Sequence, residues 1–542
     1  MRLLGNEHAL AESGLLADGV LQRILPLKTE AGATTARTWL GGCTTSASLL
    51  RKRAAVLRHI QADPTHTETL GTVLEKARAA EEILKDLQAE DDSALSSEAD
   101  AQIYFKGEYT RPINEIPYVI ALFTAFKIYM APFLALCMPI ILCVMPYILL
   151  TGLMNVPIPW ETYKMILFQY ILGINPQEPW SLKQIMKLIW TLASFGQGII
   201  QPVLTAFNTA RLRNTYHRYA DAIRSYAESV RLCAVFYKRH GLREPKLPAL
   251  PSDSYVLVEW WRREKTVGMH YRELLGYYDL LYTLGSDRRW VPVQFGTNEK
   301  MNIRGFYDMA LDDARAKSSN IVLGGHNLIT GPNRGGKSSA LRGMLQTVLC
   351  AQSFGVCWRA QVFLGKPYRR IYTRLVATDM PGAKSLFESD VAFALEVLKG
   401  ARSAQGAHSG SVLVMIDELF HSTNPRDAEL SAAHFLRQLW RTGAHSMIST
   451  HMFQLLPAAE SVGVRLLCVP AWMTPDDGAP HSNGQLKYSY SVSPGVCTVS
   501  SVAEVWASLN ASLNASLSAS AKASAQAGAK ADAKADPVKT AS

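Results

Sequence analysis

Residues 320–345 read NIVLGGHNLITGPNRGGKSSALRGML, and this stretch decides the fold. Within it Gly331, Gly336, Lys337 and Ser338 fit the spacing G-x-x-x-x-G-K-[ST]. An apolar strand at 327–330 leads into the pattern and a helical run leaves it. Glycine-rich backbone there turns its N–H groups inward around phosphate oxygens, and the following helix presents its positive N-terminus to the same charge. Gly331, Pro332, Asn333, Arg334, Gly335, Gly336, Lys337, Ser338 and Ser339 are therefore the expected nucleotide-binding residues. Lys337 is expected to reach the β- and γ-phosphates of ATP, and Ser338 to ligate Mg²⁺.

The second half of such a site lies about 80 residues on, at Val412-Leu-Val-Met-Ile-Asp417-Glu418. An apolar buried strand delivers Asp417 at its tip, where a carboxylate holds Mg²⁺ through water. Glu418 then stands where it orients or deprotonates the attacking water. A solvated acidic turn is the plain alternative. The strand 445–450 ends in His451, expected either to hydrogen-bond the γ-phosphate or to be an ordinary surface histidine.

Taken together the motifs resemble the MutS mismatch-repair ATPase family. GPNRGGKSS is similar to that family's phosphate loop, with its Gly-Pro-Asn opening and doubled glycine. Ile371–Asp379 looks like the next strand. Ser385, Phe387 and Asp390 look like the S-x-F-x-x-E segment, with Asp in place of Glu. Asp417 to Thr423 is similar to DE-x-x-x-x-T, Ser449-Thr-His451 with Leu455 to T-H-x-x-x-L, and Tyr490 to Gly495 to a later strand. All occur in family order. The resemblance implies ATP hydrolysis with Glu418 and His451 in the catalytic set, Mg²⁺ on Ser338 and Asp417, and Asn320 on the adenine side. It further implies a homodimer through the ATPase domains, with Ser385, Phe387 and Asp390 as a trans signature segment whose Ser385 and backbone N–H groups face the partner's γ-phosphate. Departures accompany it. None of the 17 phenylalanines has Glu two positions on, so a mismatch-reading wedge is not expected. The closing helix-turn-helix is absent or reduced to 500–507, and Tyr307 stands near the family's His-Pro.

Upstream the composition changes sharply. Residues 128–160 carry no charge and are dense in Leu, Ile, Met and Phe, long enough for a helix to cross a bilayer. Pro132, Pro139 and Pro146 recur on one face and predict kinks. A second uncharged run, 188–210, is more polar but also of spanning length. Lys106, Arg111 and Lys127 before, and Arg211, Arg213 and Arg218 after, predict a two-pass hairpin with both flanking segments cytosolic. The competing reading is a helical hairpin buried inside protein. Past it, Tyr216, Tyr219, Ile223, Tyr226, Val230, Cys233 and Tyr237 keep a helical spacing.

The expected fold is an α/β P-loop NTPase domain with an ABC/MutS-like sheet, preceded by an all-α lever and core domain carrying the transmembrane hairpin. The expected domains are 1–127, helical core; 128–210, hairpin in place of the family's clamp; 211–300, second lever and linker; 301–508, ATPase; and 509–542, a disordered Ala/Ser/Lys tail. The eight cysteines show no CxxC spacing, which disfavours a zinc site and suits a reducing compartment, and no secretory signal is expected. A net charge of +10 suits an anionic partner, either lipid or the DNA backbone without sequence preference. Three functions stay open: a membrane-anchored ATPase switch, a DNA-repair or recombination ATPase with a buried hairpin, and an ABC-type transport ATPase. The last is disfavoured because no LSGGQ-like segment is present.

Overall fold

A computed structural model describes residues 6–17, 19–63, 65–91, 101–169, 181–296, 300–375, 386–402, 410–418, 420, 424–473 and 486–501. The tail predicted at 509–542, and all but the first two residues of 500–507, lie outside them. The chain forms two compact units. One holds residues 1–27, 33–67 and 280–542, the other residues 28–32 and 68–279.

The first unit is built on a mixed six-stranded sheet. Its order is Ser493–Pro494, Arg465–Cys468, His326–Thr330, His445–Ser449, Val412–Asp417 and Arg370–Arg374. The last five run parallel, and Ser493–Pro494 is antiparallel to its neighbour. Central parallel strands are covered on both faces, which is why 412–416 is an unbroken apolar run, wholly buried. Val414, Ile416, Leu328 and Ile448 pack against the helices Leu386–Arg402 and Pro425–Leu439. The alternate residues Leu413, Met415 and Met447 are buried too, and the helix Lys337–Ser353 contacts these strands. A four-stranded sheet, Gln294–Phe295, Gln361–Leu364, Met301–Phe306 and Ser319–Leu323, stands beside it in the same unit.

Register sets what the sheet presents. Ser449 pairs with both Ile329 and Asp417, so three strands finish level at one edge. Chain leaving a parallel sheet at its carboxyl edge forms the usual ligand crevice of such folds.

The second unit is helical. The stripe from Tyr216 to Tyr237 is buried along its length. Tyr216 meets Tyr104 at 5.4 Å, Tyr226 meets Trp261 at 6.5 Å, and Tyr237 stacks on Tyr278 at 5.4 Å between ring centres. The buried Asp279 accepts hydrogen bonds from the backbone N–H groups of Lys28 and Thr29 and from the Thr29 hydroxyl. Desolvation outweighs those bonds and raises its carboxyl pKa above the ordinary value.

Two sequence expectations for this unit change. The run 188–210 and the lever from 211 are one uninterrupted helix, Leu182–Lys238, 57 residues long. Ser181 and Gln184 close a capping box at its start, and Pro202 is accommodated inside it. The prolines of the first run also remain helical: Ala131–Ile148 contains Pro139 and Pro146, and π-helical turns flank it at Phe126–Met130 and Leu149–Leu153. The Tyr163 hydroxyl adds a donor to the Cys143 carbonyl at 2.7 Å, one turn before Pro146. None of the residues 131–148 is buried.

Close approach fixes the first unit at Gly343. A Cβ there would lie 2.6 Å from the Tyr307 carbonyl carbon and 2.8 Å from the Asp308 nitrogen, neither of which can yield. Gly343→Ala is expected to destabilise this unit by about 1–3 kcal/mol, the usual cost of overpacking, read by urea unfolding. An unchanged midpoint would show that helix and loop separate freely.

Candidate functional site

The three level strand ends deliver residues 331–338, 417–418 and 449–451 to one crevice. The loop after Thr330 is tight because glycine stands where side chains do not fit. Gly336 takes φ +98° as the N-cap of the helix Lys337–Ser353. At Gly331 a Cβ would meet the Val469 carbonyl oxygen at 3.0 Å.

Lys337 folds back over this loop and is buried. Its ammonium donates to the carbonyls of Gly331 at 3.1 Å and Pro332 at 3.2 Å. It also lies 3.0 Å from His451 Nε2 and 3.7 Å from Glu418 Oε1. An ammonium has three donors, so one is left for His451 or Glu418. His451 Nε2 lies 2.7 Å from the same Glu418 oxygen. A nitrogen accepting from Lys337 cannot donate to Glu418, so the imidazole proton decides which pair is bonded. Burial lowers the Lys337 pKa, against the opposing pull of Glu418 and Asp417.

Asp417 ends its strand half-buried, and its Oδ1 accepts a short hydrogen bond from the Ser449 hydroxyl. The Glu418 N–H is held by Ser449 as well, at 3.3 Å from its carbonyl oxygen and 3.2 Å from Oγ. Glu418 has φ +54°, a conformation rare for this residue type. Ser338, Asn333 and Arg334 are exposed at the loop, while Pro332 and Gly335 are buried.

Beside the loop opens a cavity of about 370 Å³. Tyr307, Leu311, Arg315, Lys317, Arg334 and Tyr490 line it, with Gly336 and Ser339 at the loop end. Asn320 is not among its lining residues; its Oδ1 accepts from the Gly305 N–H at 2.9 Å. Sequence reasoning missed Leu311, Arg315, Lys317 and Tyr490 as site residues. Tyr490 carried a signal, since it opens the segment matched to a family strand, but nothing local indicates that its ring reaches Gly336.

Of the trans segment, Phe387 and Asp390 are among the described residues. Ser385 lies outside the described residues, as does Thr423. Phe387 and Asp390 face their own chain. The Phe387 ring stands 6.0 Å from that of Phe420, and the buried Asp390 pairs with Arg374 at 2.7 Å. Residues 387, 391, 394, 397, 398 and 401 form the apolar stripe of this helix, and 390 falls on the same side.

Residues 327–526 match the family model described as MutS domain V. Over this region the chain is similar to the MutS family. The chain is similar to the DNA mismatch repair protein MSH3 of Chaetomium globosum, 36% identical over 143 residues, covering 26% of this chain and 12% of the relative. It is 26% identical over 223 residues to the DNA mismatch repair protein MutS of Geobacillus thermodenitrificans, covering 40% and 23%. With MutS of Thermus thermophilus identity is 30% over 181 residues, covering 33% and 20%. The chain therefore spans less than a quarter of the length of these MutS relatives. The family-model match contains 331–338, Asp417, Glu418 and His451.

The depressed Lys337 pKa has a consequence for stability. Below its folded pKa the buried ammonium is a burden. Stability gained by deprotonation grows as pH rises toward the ordinary lysine value of 10.5, and it is lost as pH falls through the folded pKa. Without nucleotide, wild-type stability is expected to climb relative to Lys337→Met between neutral pH and 10.5. Denaturant unfolding across that window reads the difference; a difference that stays constant would contradict the placement of Lys337.

Proposed function

We propose that this chain is a MutS-like ATPase that acts as a dimeric, membrane-anchored conformational switch. The observation that carries the reading is the meeting of Lys337, Glu418 and His451 within 3.7 Å at the carboxyl edge of a parallel sheet, beside a glycine-rich loop. ATP would lie with its phosphates along 331–338 and its base in the cavity at Tyr490. Lys337 would exchange the loop carbonyls for the β- and γ-phosphates. Ser338 and Asp417 would hold Mg²⁺ through their hard oxygen donors, and the bound ion would supply neutralisation of the phosphate charge. Glu418 accepts the proton of the water attacking the γ-phosphorus, and ADP leaves. His451, 2.7 Å from Glu418, relays the state of the γ-phosphate to it. Completion of each site by the other head of a homodimer rests on the family resemblance.

The membrane part rests on exposed surface. Within helical residues Val119–Leu153 the most apolar 18-residue window has a mean hydropathy of 2.5 and no burial. They pack along the helix Leu182–Lys238, which exposes Met186, Ile189, Trp190, Leu192 and Phe207. An apolar surface this continuous marks a membrane or protein contact rather than a solvated face. Tyr129 and Tyr147 stand 18 residues apart, about 27 Å of helix, close to a bilayer core. Around Tyr147 gather Trp160 at 4.8 Å and Tyr163 at 5.0 Å, as interfacial aromatics do. The hairpin would thus enter the bilayer in two passes, with the ATPase in the cytosol. Nucleotide state would reach it through Leu182–Lys238 and its neighbours.

A second reading is favoured by the names of the relatives: a DNA-repair ATPase that grips the DNA backbone, helped by the net charge of +10. Its binding would be equal for matched and mismatched duplex and would fall steeply with salt.

Two measurements separate these parts. Glu418→Gln is expected to keep ATP bound while turnover falls by about 100-fold or more. Unchanged hydrolysis would remove Glu418 from its role. Expressed protein should stay in the membrane pellet through a carbonate wash, and deletion of 128–210 should release an ATP-binding remainder. A full-length protein that is monodisperse without detergent sinks the membrane reading, and salt-sensitive duplex binding by it would favour the second.

A further inference from the structure

Chain leaving the Val412–Asp417 strand turns through two left-handed residues, Glu418 at φ +54° and Phe420 at φ +65°. Neither is glycine, so surrounding contacts must hold each in place. Glu418 is held through its N–H by Ser449. Phe420 is held in two ways. Its buried ring lies against Phe387 and Phe435, at 6.0 and 6.4 Å, and its N–H donates to Asp390 Oδ2 at 3.2 Å. The other Asp390 oxygen pairs with Arg374, the last residue of the Arg370–Arg374 strand, at 2.7 Å. Arg374 also approaches the Ser389 hydroxyl at 3.4 Å. The Asp390 side chain is 4% exposed and that of Arg374 14% exposed, so this pair is shielded from water.

A buried ion pair joining a helix, a strand end and one backbone N–H fixes geometry more than it adds stability. The N–H it fixes lies two residues beyond Glu418. We infer that Asp390 is a positioning residue: with Arg374 it pins Phe420 and so sets the direction in which the Glu418 carboxylate points. This rests on the ATPase reading above. Asparagine cannot replace Asp390 in this role. With its oxygen toward the Phe420 N–H, its amide N–H₂ faces the Arg374 guanidinium, donor against donor; flipped, it faces the Phe420 N–H.

The test compares the full-length wild type with Asp390→Asn, Arg374→Gln, Glu418→Gln and the double variant Asp390→Asn/Glu418→Gln. Steady-state ATP hydrolysis gives kcat and KM, and equilibrium titration gives the Kd for ATP. Asp390→Asn and Arg374→Gln are each expected to lower kcat by about tenfold or more, with Kd within about twofold, because the phosphate loop is untouched. The double variant should be no slower than Glu418→Gln alone, since Asp390 acts only through Glu418. If Asp390→Asn turns over at the wild-type rate while Glu418→Gln is impaired, the inference falls and the ATPase reading stands. Additive losses in the double variant, or loss of folding or ATP binding in both single variants, would make the pair a structural brace and overturn the positioning role. A wild type without ATP turnover would remove the ATPase reading and this inference together.

Discussion

Burial of one ammonium group organises the first unit. A lysine taken out of water costs several kcal/mol unless its donors are met, and Lys337 is met by two carbonyls of its own loop and by the Glu418–His451 pair. Those partners come from three different strand ends. They coincide only because Ser449 is in register with both Ile329 and Asp417, and that register follows from apolar strands buried on both faces. The same contacts fix the shape of the loop. A phosphate that replaces the loop carbonyls exchanges neutral acceptors for charged ones, which strengthens each hydrogen bond. The site is thereby prepared for an anion by the cation it already has to satisfy.

The second unit faces the opposite problem. Its interior is well supplied, with tyrosines stacked along Leu182–Lys238, Thr29 held by the carboxylate of Asp279, and Glu30 and Ala31 held by that of Glu81. Its apolar excess lies outside, on residues such as Phe133, Ile140, Leu142, Ile148 and Trp190. Water does not accommodate that much contiguous hydrocarbon, and a lipid phase or another protein does. Helices suit such a phase because their backbone groups are already paired.

What could be read from the sequence follows the range of the physics involved. The glycine-rich loop between strand and helix was legible because glycine spacing, lysine and the following helix are neighbours in the chain. Asp417 and Glu418 were legible as the end of an apolar strand, and the Tyr216–Tyr237 stripe as a period of 3.6. Asp390 was matched to an acidic family position by resemblance alone, and its burial had no local sign, because an acid near a helix start is usually exposed. Only the fold brings Arg374 to it and sets it among Phe387, Val391 and Ala394. The lever and the second apolar run were divided because charge stops at 210, whereas helix continuity depends on backbone donors and is indifferent to charge. Tyr490 reaches the loop from more than 150 residues away, a distance at which no local pattern speaks.

The account turns on what occupies the 331–338 loop. A structure determined with Mg²⁺ and a non-hydrolysable ATP analogue tests this most directly. It should show Lys337 drawn off the Gly331 and Pro332 carbonyls onto the β- and γ-phosphates, with the base in the cavity beside Tyr490 and Glu418 still within reach of His451. An empty loop, with Lys337 still bound to its own carbonyls at saturating analogue, would contradict the account.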